Sequence, residues 1–264
     1  MARESRRGCG SSSPRANLAA SPAARPKRSH PDVAGFPAAL AALLPAVEQG
    51  LREAIGPGQS PIDAVARYVM GWEDQAGRPT NAGGKRIRPA LCLYAGALFG
   101  DTGAALPGAI AVELVHNFSL IHDEVQDHDA ERHGRPTLWA LLGEAQAINA
   151  GDYLYARSTR ALLDGPGQPG RRLAALAILT TTVERMIAGQ WADLSFESRD
   201  DVTAAEYLAM VAGKTGALLG APLSMGATLA GAPPDTARAL GAWGEAVGLA
   251  FQIHDDYLGT WGNP

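Results

Sequence analysis

Two cysteines in 264 residues, Cys9 and Cys92, are too few for a disulfide framework, and neither sits at a metal-ligand spacing. That usage points to a reducing, cytoplasmic setting. Runs of β-branched residues are scarce while alanine, leucine, glycine and proline abound, which disfavours a large sheet and favours helices joined by tight turns. Lysine is nearly missing: Lys27, Lys85 and Lys214 are the only three. Arginine carries the other basic charge, so Lys85 and Lys214 place compact point charges where a guanidinium fork was not used. Basic residues are also scarce in the body of the chain. Residues 1–31 hold seven of the 23 basic side chains and one of the 27 acidic ones, leaving 16 against 26. Such an acidic body argues against nucleic acid as a partner, because phosphate binding relies on clustered positive charge. An anionic ligand would need a divalent cation to bridge carboxylates and phosphate oxygens.

What is present reads as helix. Residues 1–32, rich in Ser, Pro, Arg and Ala, are expected to be a disordered leader; Arg6-Arg7 has no apolar run behind it, which argues against secretion. A helical domain is expected over 33–264. Apolar periodicity begins at Phe36 and stops near Gly56-Pro57; Ser60 then caps a second helix with Pro61 at its first position. A loop covers 77–84, Pro89 lies in the first turn of a helix ending near Gly100, and 101–107 connects to a helix over 109–127. Helices follow over 137–163, 171–194, 204–212, 214–229 and 236–259, with no strand candidate. The expectation is an all-α antiparallel helix bundle. Residues 217–234 are uncharged, but Gly220, Pro222, Gly226 and Gly231 suit a buried central helix, so no integral membrane segment is expected.

The chain is organised around 112–139. On a helix, Asp123 and Asp127 stand one turn apart beside an apolar stripe of Leu114, Phe118 and Ile121. By itself such a pair fits a solvated helix end as well as a ligand site. The acids are embedded in apolar sequence, and a second pair, Asp255-Asp256, lies in similar surroundings. His116 and His122 read alone as core or surface histidines, and Gly83-Gly84 before basic residues is a weak phosphate-loop signal.

Together these stretches resemble the trans-polyprenyl diphosphate synthases, the type I isoprenoid synthases. Asp123-Glu124-x-x-Asp127 followed by Arg132-x-Gly134-Arg135-Pro136-Thr137 resembles their first aspartate-rich motif. Phe251-Gln252-Ile253-His254-Asp255-Asp256-Tyr257-Leu258-Gly259 resembles the second. Gly83-Gly84-Lys85-Arg86-Ile87-Arg88-Pro89, Gly189-Gln190-x-x-Asp193-Leu194 and Lys214-Thr215-Gly216 match the family's other blocks, in family order.

The resemblance implies an isoprenoid synthase bundle and a Mg²⁺-dependent prenyltransferase. Such an enzyme condenses an allylic diphosphate with isopentenyl diphosphate to a short-chain product, geranylgeranyl favoured and farnesyl the alternative. It implies Asp123, Asp127, Asp255 and Asp256 as metal residues, and Lys214, Thr215 and Gln252 around the allylic cation. Lys85, Arg88 and His116 would bind isopentenyl diphosphate and Arg132 the allylic diphosphate. Phe118 would form the floor of the elongation cavity, and two chains would pair as a homodimer. Glu124 replaces the family's second Asp, Gly259 its last, and His133 replaces an arginine that binds isopentenyl diphosphate. Relatives continue through further helices after the second motif, so the C-terminal helices are expected to be missing. An inactive short chain or partner subunit, and a terpene cyclase on the same scaffold, are the alternative readings.

Overall fold

The computed structural model describes residues 38–262, and the expected leader lies outside the described residues. The elements are α1 (Ala38–Ala41), α2 (Leu44–Ile55), α3 (Pro61–Val69), α4 (Ile87–Ala97), α5 (Thr102–Gln126), β1 (Glu131–Arg132), β2 (Arg135–Pro136), α6 (Leu138–Leu142), α7 (Glu144–Asp164), α8 (Pro169–Phe196), α9 (Ala204–Val211), a π-helical turn (Ala212–Gly216), α10 (Ala217–Ala230) and α11 (Pro234–Trp261). Helix α5 is the central strut, packed by α2, α4, α7 and α10. Its Val112, Leu114 and Val115 are fully buried, as are Leu154 of α7, Leu179 of α8 and Met225 of α10. Burying each such side chain stabilises the fold by about 1.5–3 kcal/mol.

Local chemistry sets the ends. Ser60 Oγ accepts from the Asp63 amide at 3.2 Å, the cap expected from the sequence, and the Asp63 carboxylate accepts from the Ser60 amide at 3.3 Å, which makes it reciprocal. Helix α5 starts earlier than expected. Asp101 accepts from the Ala104 amide at 2.8 Å, and the stretch expected to be a connection forms the first turns. Pro107 forfeits one ladder bond there but is buried against Gly165, where a Cβ would lie 2.5 Å from the proline ring.

Three further expectations change. The helix expected over 137–163 is broken at Gly143, whose φ of 82° is left-handed. A short antiparallel hairpin, β1 with β2, appears where no strand was expected; His133 (φ 51°) and Gly134 (φ 73°) make its tight turn. The break expected at Gly213 is instead the π-helical turn, so α9 and α10 run on as one path. Two stretches, Thr102–Gln126 and Ala204–Ala230, are long and apolar enough to cross a membrane, but their apolar windows are 67% and 56% buried within the bundle. They are core helices here. A Cβ on Gly226 would lie 2.0 Å from the Cys92 carbonyl oxygen, so α10 and α4 meet backbone to backbone.

Candidate active site

Helix α5 divides two compartments of opposite character. Through His116, Asn117 and Glu124 it lines a polar pocket of about 210 Å³. Through Phe118, His122, Asp123 and Gln126 it lines a largely apolar cavity of about 580 Å³ with α7 and α8. Adjacent residues Asp123 and Glu124 therefore face different compartments.

The polar pocket is basic. Arg132, His133 and Arg135 from the hairpin and Arg86 line it. Arg88 Nη1 lies 3.3 Å from His116 Nε2. Burial, then the nearby Arg88, Arg132 and Arg86, hold His116 well below the usual imidazole pKa. The ring is thus neutral and Nε2 accepts from the guanidinium. The Nε atoms of Arg88 and Arg132 are buried with no hydrogen-bond partner; the Glu124 carboxylate, 3.8 Å from Arg132 Nε, is too far. Buried cationic donors left open suit an anionic ligand. Of the residues implied for isopentenyl diphosphate, His116 lines this pocket with Arg88 against it, and His133 and Arg132, the latter implied for the allylic diphosphate, line it too, whereas Lys85 is exposed on the preceding loop.

Sequence reasoning missed the residue that builds this pocket. Arg86, 5% exposed, donates to Glu48 at 2.6 Å, to Glu113 at 2.7 Å and to the Met70 carbonyl at 2.9 Å. It thereby ties α2, α5 and the end of α3 to the loop carrying Lys85. Its own backbone is left-handed, φ 51°, at the N-cap of α4. No periodicity could reveal it, since its partners are 38, 27 and 16 residues away.

The apolar cavity holds Asp123 and Lys214 at its polar end. Phe118 lies against Tyr155 with ring centroids 5.4 Å apart and meets His122 edge-on at 4.8 Å. Gln190 Nε2 donates to Gln126 Oε1 at 3.0 Å, joining α8 to α5. Glycines make the close approach of these turns possible. A Cβ on Gly189 of α8 would lie 2.4 Å from the Lys214 amide nitrogen, and one turn on Asp193 takes Lys214 Nζ at 2.5 Å. Likewise a Cβ on Gly248 of α11 would lie 3.0 Å from Gly216, and one turn on Gln252 Oε1 accepts from Thr215 Oγ1 at 2.9 Å. A π-helical turn bearing both residues is the kind of ladder irregularity common at functional sites.

Asp123 and Asp127 are one turn apart as expected, Asp127 being the C-cap of α5. Burial pushes the Asp123 pKa up to about 6; Lys214 and Arg132 oppose, and the negative Asp127 and Asp193 add to the rise. A carboxylate penalised by burial and by like charges is one that a hard cation would relieve. Among the described residues no three His, Cys, Asp or Glu side chains gather into a metal-holding group. Asp255 is exposed on α11, while Asp256 is held by Gln252 and Tyr207.

Glu124 is pushed higher, to about 7, by burial, with Arg132 opposing and Asp129 and Asp123 adding. A carboxyl whose folded pKa is raised favours the fold at low pH and loses that contribution as pH rises through the folded value. Relative to Glu124→Gln, the wild type should therefore gain stability as pH falls from about 7.5 to about 5.5. Urea unfolding of both at the two pH values checks this. The comparison cancels the opposite trend from His116, whose neutral form the fold favours.

A family model described as polyprenyl synthetase matches residues 73–264. The (2E,6E)-farnesyl diphosphate synthase of Mycobacterium tuberculosis H37Rv is 48% identical over 202 residues, 76% of this chain and 56% of that protein. The geranylgeranyl diphosphate synthase of the same strain is 43% identical over 217 residues, 81% of this chain and 61% of that protein. The crystal structure of polyprenyl synthetase from Streptomyces coelicolor A3(2) superposes with a TM-score of 0.79 at 43% identity, covering 86% of this chain and 67% of that one. The fold is that of the isoprenoid synthases. The chain belongs to the polyprenyl synthetase family, and it spans between half and two thirds of the length of these curated relatives.

Proposed function

We propose that the protein is a short-chain trans-prenyl diphosphate synthase, joining an allylic diphosphate to isopentenyl diphosphate with Mg²⁺. The observation that carries this reading is the pair of compartments on α5, one basic and one apolar, with Asp123 beside Lys214 at the polar end of the apolar one. A reaction between two diphosphates, one trailing a hydrocarbon chain, needs those two environments side by side.

Asp123 and Asp127 of α5 and Asp255 of α11 would hold Mg²⁺. When bound, the ion supplies neutralisation of charge on the departing pyrophosphate. Lys214 and Arg132 bind the same diphosphate, and Arg88, His116 and His133 receive isopentenyl diphosphate, with exposed Lys85 reaching it from the loop. Thr215 and Gln252 present oxygen atoms to the allylic cation. The cavity ending at Phe118 and Tyr155 excludes water that would quench the cation. The enzyme acts in the cytoplasm as a homodimer.

The test is incubation with Mg²⁺, an allylic diphosphate and labelled isopentenyl diphosphate, with products separated by length. Labelled product that vanishes with EDTA supports the reading. A folded sample yielding none overturns it in favour of a non-catalytic subunit, and unlabelled hydrocarbon would indicate a cyclase. Two further results are expected. Phe118→Ala should open the cavity floor and lengthen the main product by at least one five-carbon unit, read by chromatography of the dephosphorylated alcohols. His133→Arg adds a charged donor and should lower the KM for isopentenyl diphosphate by about tenfold, leaving that of the allylic substrate unchanged.

A further inference from the structure

We infer that Tyr207 is a positioning residue that, through Asp256, fixes which way Gln252 presents its amide; this rests on the synthase reading above. Neither residue type nor spacing marks Tyr207, which lies in the first turn of α9, well before Lys214. That turn is rigidly started: Thr203 Oγ1 accepts from the Glu206 amide at 3.2 Å, and the Glu206 carboxylate accepts from the Thr203 amide at 2.8 Å. The Tyr207 amide donates to the Thr203 carbonyl at 3.0 Å.

From there a chain of hydrogen bonds, its donors converging from both sides on Asp256, crosses to the π-helical turn. Tyr207 Oη donates to Asp256 Oδ2 at 2.5 Å, and Gln252 Nε2 donates to Asp256 Oδ1 at 2.8 Å. Thr215 Oγ1 donates to Gln252 Oε1 at 2.9 Å. The phenol keeps its proton, since burial and the adjoining carboxylate raise its pKa to about 12. The direction of the amide follows from charge. Turned the other way, Gln252 would set its carbonyl oxygen against the Asp256 carboxylate. Because the NH₂ must face Asp256, the carbonyl faces Thr215, beside Lys214, where an allylic cation would feel its negative end.

The chain also divides the labour of the second acidic motif. Both oxygens of Asp256 already accept hydrogen bonds, whereas Asp255 is exposed. Asp256 is thus the orienting member of the pair, and the metal role in the proposed function is left to Asp255.

The experiment uses the full chain as wild type, Tyr207→Phe, Asp256→Asn and Asp255→Asn. In the first arm Mg²⁺ is titrated calorimetrically with inorganic pyrophosphate present. Binding should be lost in Asp255→Asn and retained in the other two variants. In the second arm the side-chain amide signal of Gln252, identified by its disappearance in Gln252→Glu, is followed by NMR. It should move toward the free-amide position in Tyr207→Phe. In the third, kcat should fall about tenfold in Tyr207→Phe with both KM values unchanged. Loss of Mg²⁺ binding in Asp256→Asn equal to that in Asp255→Asn would overturn the inference. So would a Gln252 signal indifferent to Tyr207→Phe. A wild type that makes no product would sink the synthase reading alone, since the NMR arm involves no turnover.

Discussion

Asp123→Ala should abolish Mg²⁺-dependent product formation, by at least about a thousandfold, while the metal-free protein becomes more stable at neutral pH. The two halves of that expectation come from one fact. Asp123 is half-buried at the mouth of an apolar cavity, next to Asp127 and Asp193, and its charged form is penalised enough to carry the pKa to about 6. A group kept at such a cost serves something other than the fold, and removing it relieves the fold. Turnover assays and thermal melts on the same preparation check both. Activity near wild type would remove Asp123 from the metal site. A lost activity accompanied by a lower melting temperature would make Asp123 a scaffold residue.

Arg86→Met should be the most damaging substitution for stability, at about 3–5 kcal/mol. Its guanidinium is the partner of Glu113, whose side chain is 5% exposed, and deleting one member of a buried pair strands the other charge. Glu48, at 35% side-chain exposure, can turn to water; Glu113 cannot. The double variant Arg86→Met with Glu113→Leu should therefore recover most of the loss, since a buried pair replaced by apolar groups of like volume is close to neutral. Urea denaturation of the two single variants and the double measures the coupling. A double variant as unstable as Arg86→Met would show that the Met70 and Glu48 contacts, not the stranded charge, set the cost. Even where stability returns, isopentenyl diphosphate binding should not, because the loop bearing Lys85 has lost its anchor.

Much of this was legible in the residues, and the exceptions have physical causes. Apolar spacing locates α5 and puts Asp123 and Asp127 on one face, because that face is set by helix geometry alone. The Ser60 cap is equally local. Pro107 hid the first turns of α5, since a missing donor looks like a boundary until Gly165 is seen packing on the ring. Gly143 gave no signal because an isolated glycine is tolerated inside a helical pattern. The β1–β2 hairpin is too short to show alternation, and only the left-handed pair His133-Gly134 betrays it. Arg86 and Tyr207 were missed for a different reason. Their importance lies wholly in partners far along the chain, and no window of sequence contains both ends of such a bond.

The partition made by α5 has a consequence for how this family member can change. Each residue of an α-helix turns the next by about 100°, so one inserted or deleted position upstream of His116 would swing every later side chain to a neighbouring direction. Asp123 would leave the apolar cavity, and the partner of Arg88 would leave the basic pocket. Variation along this helix is therefore confined to exchanging one side chain for another at fixed length. Chain-length tuning at Phe118 can proceed by single substitutions, whereas any frame slip would cost both substrates at once.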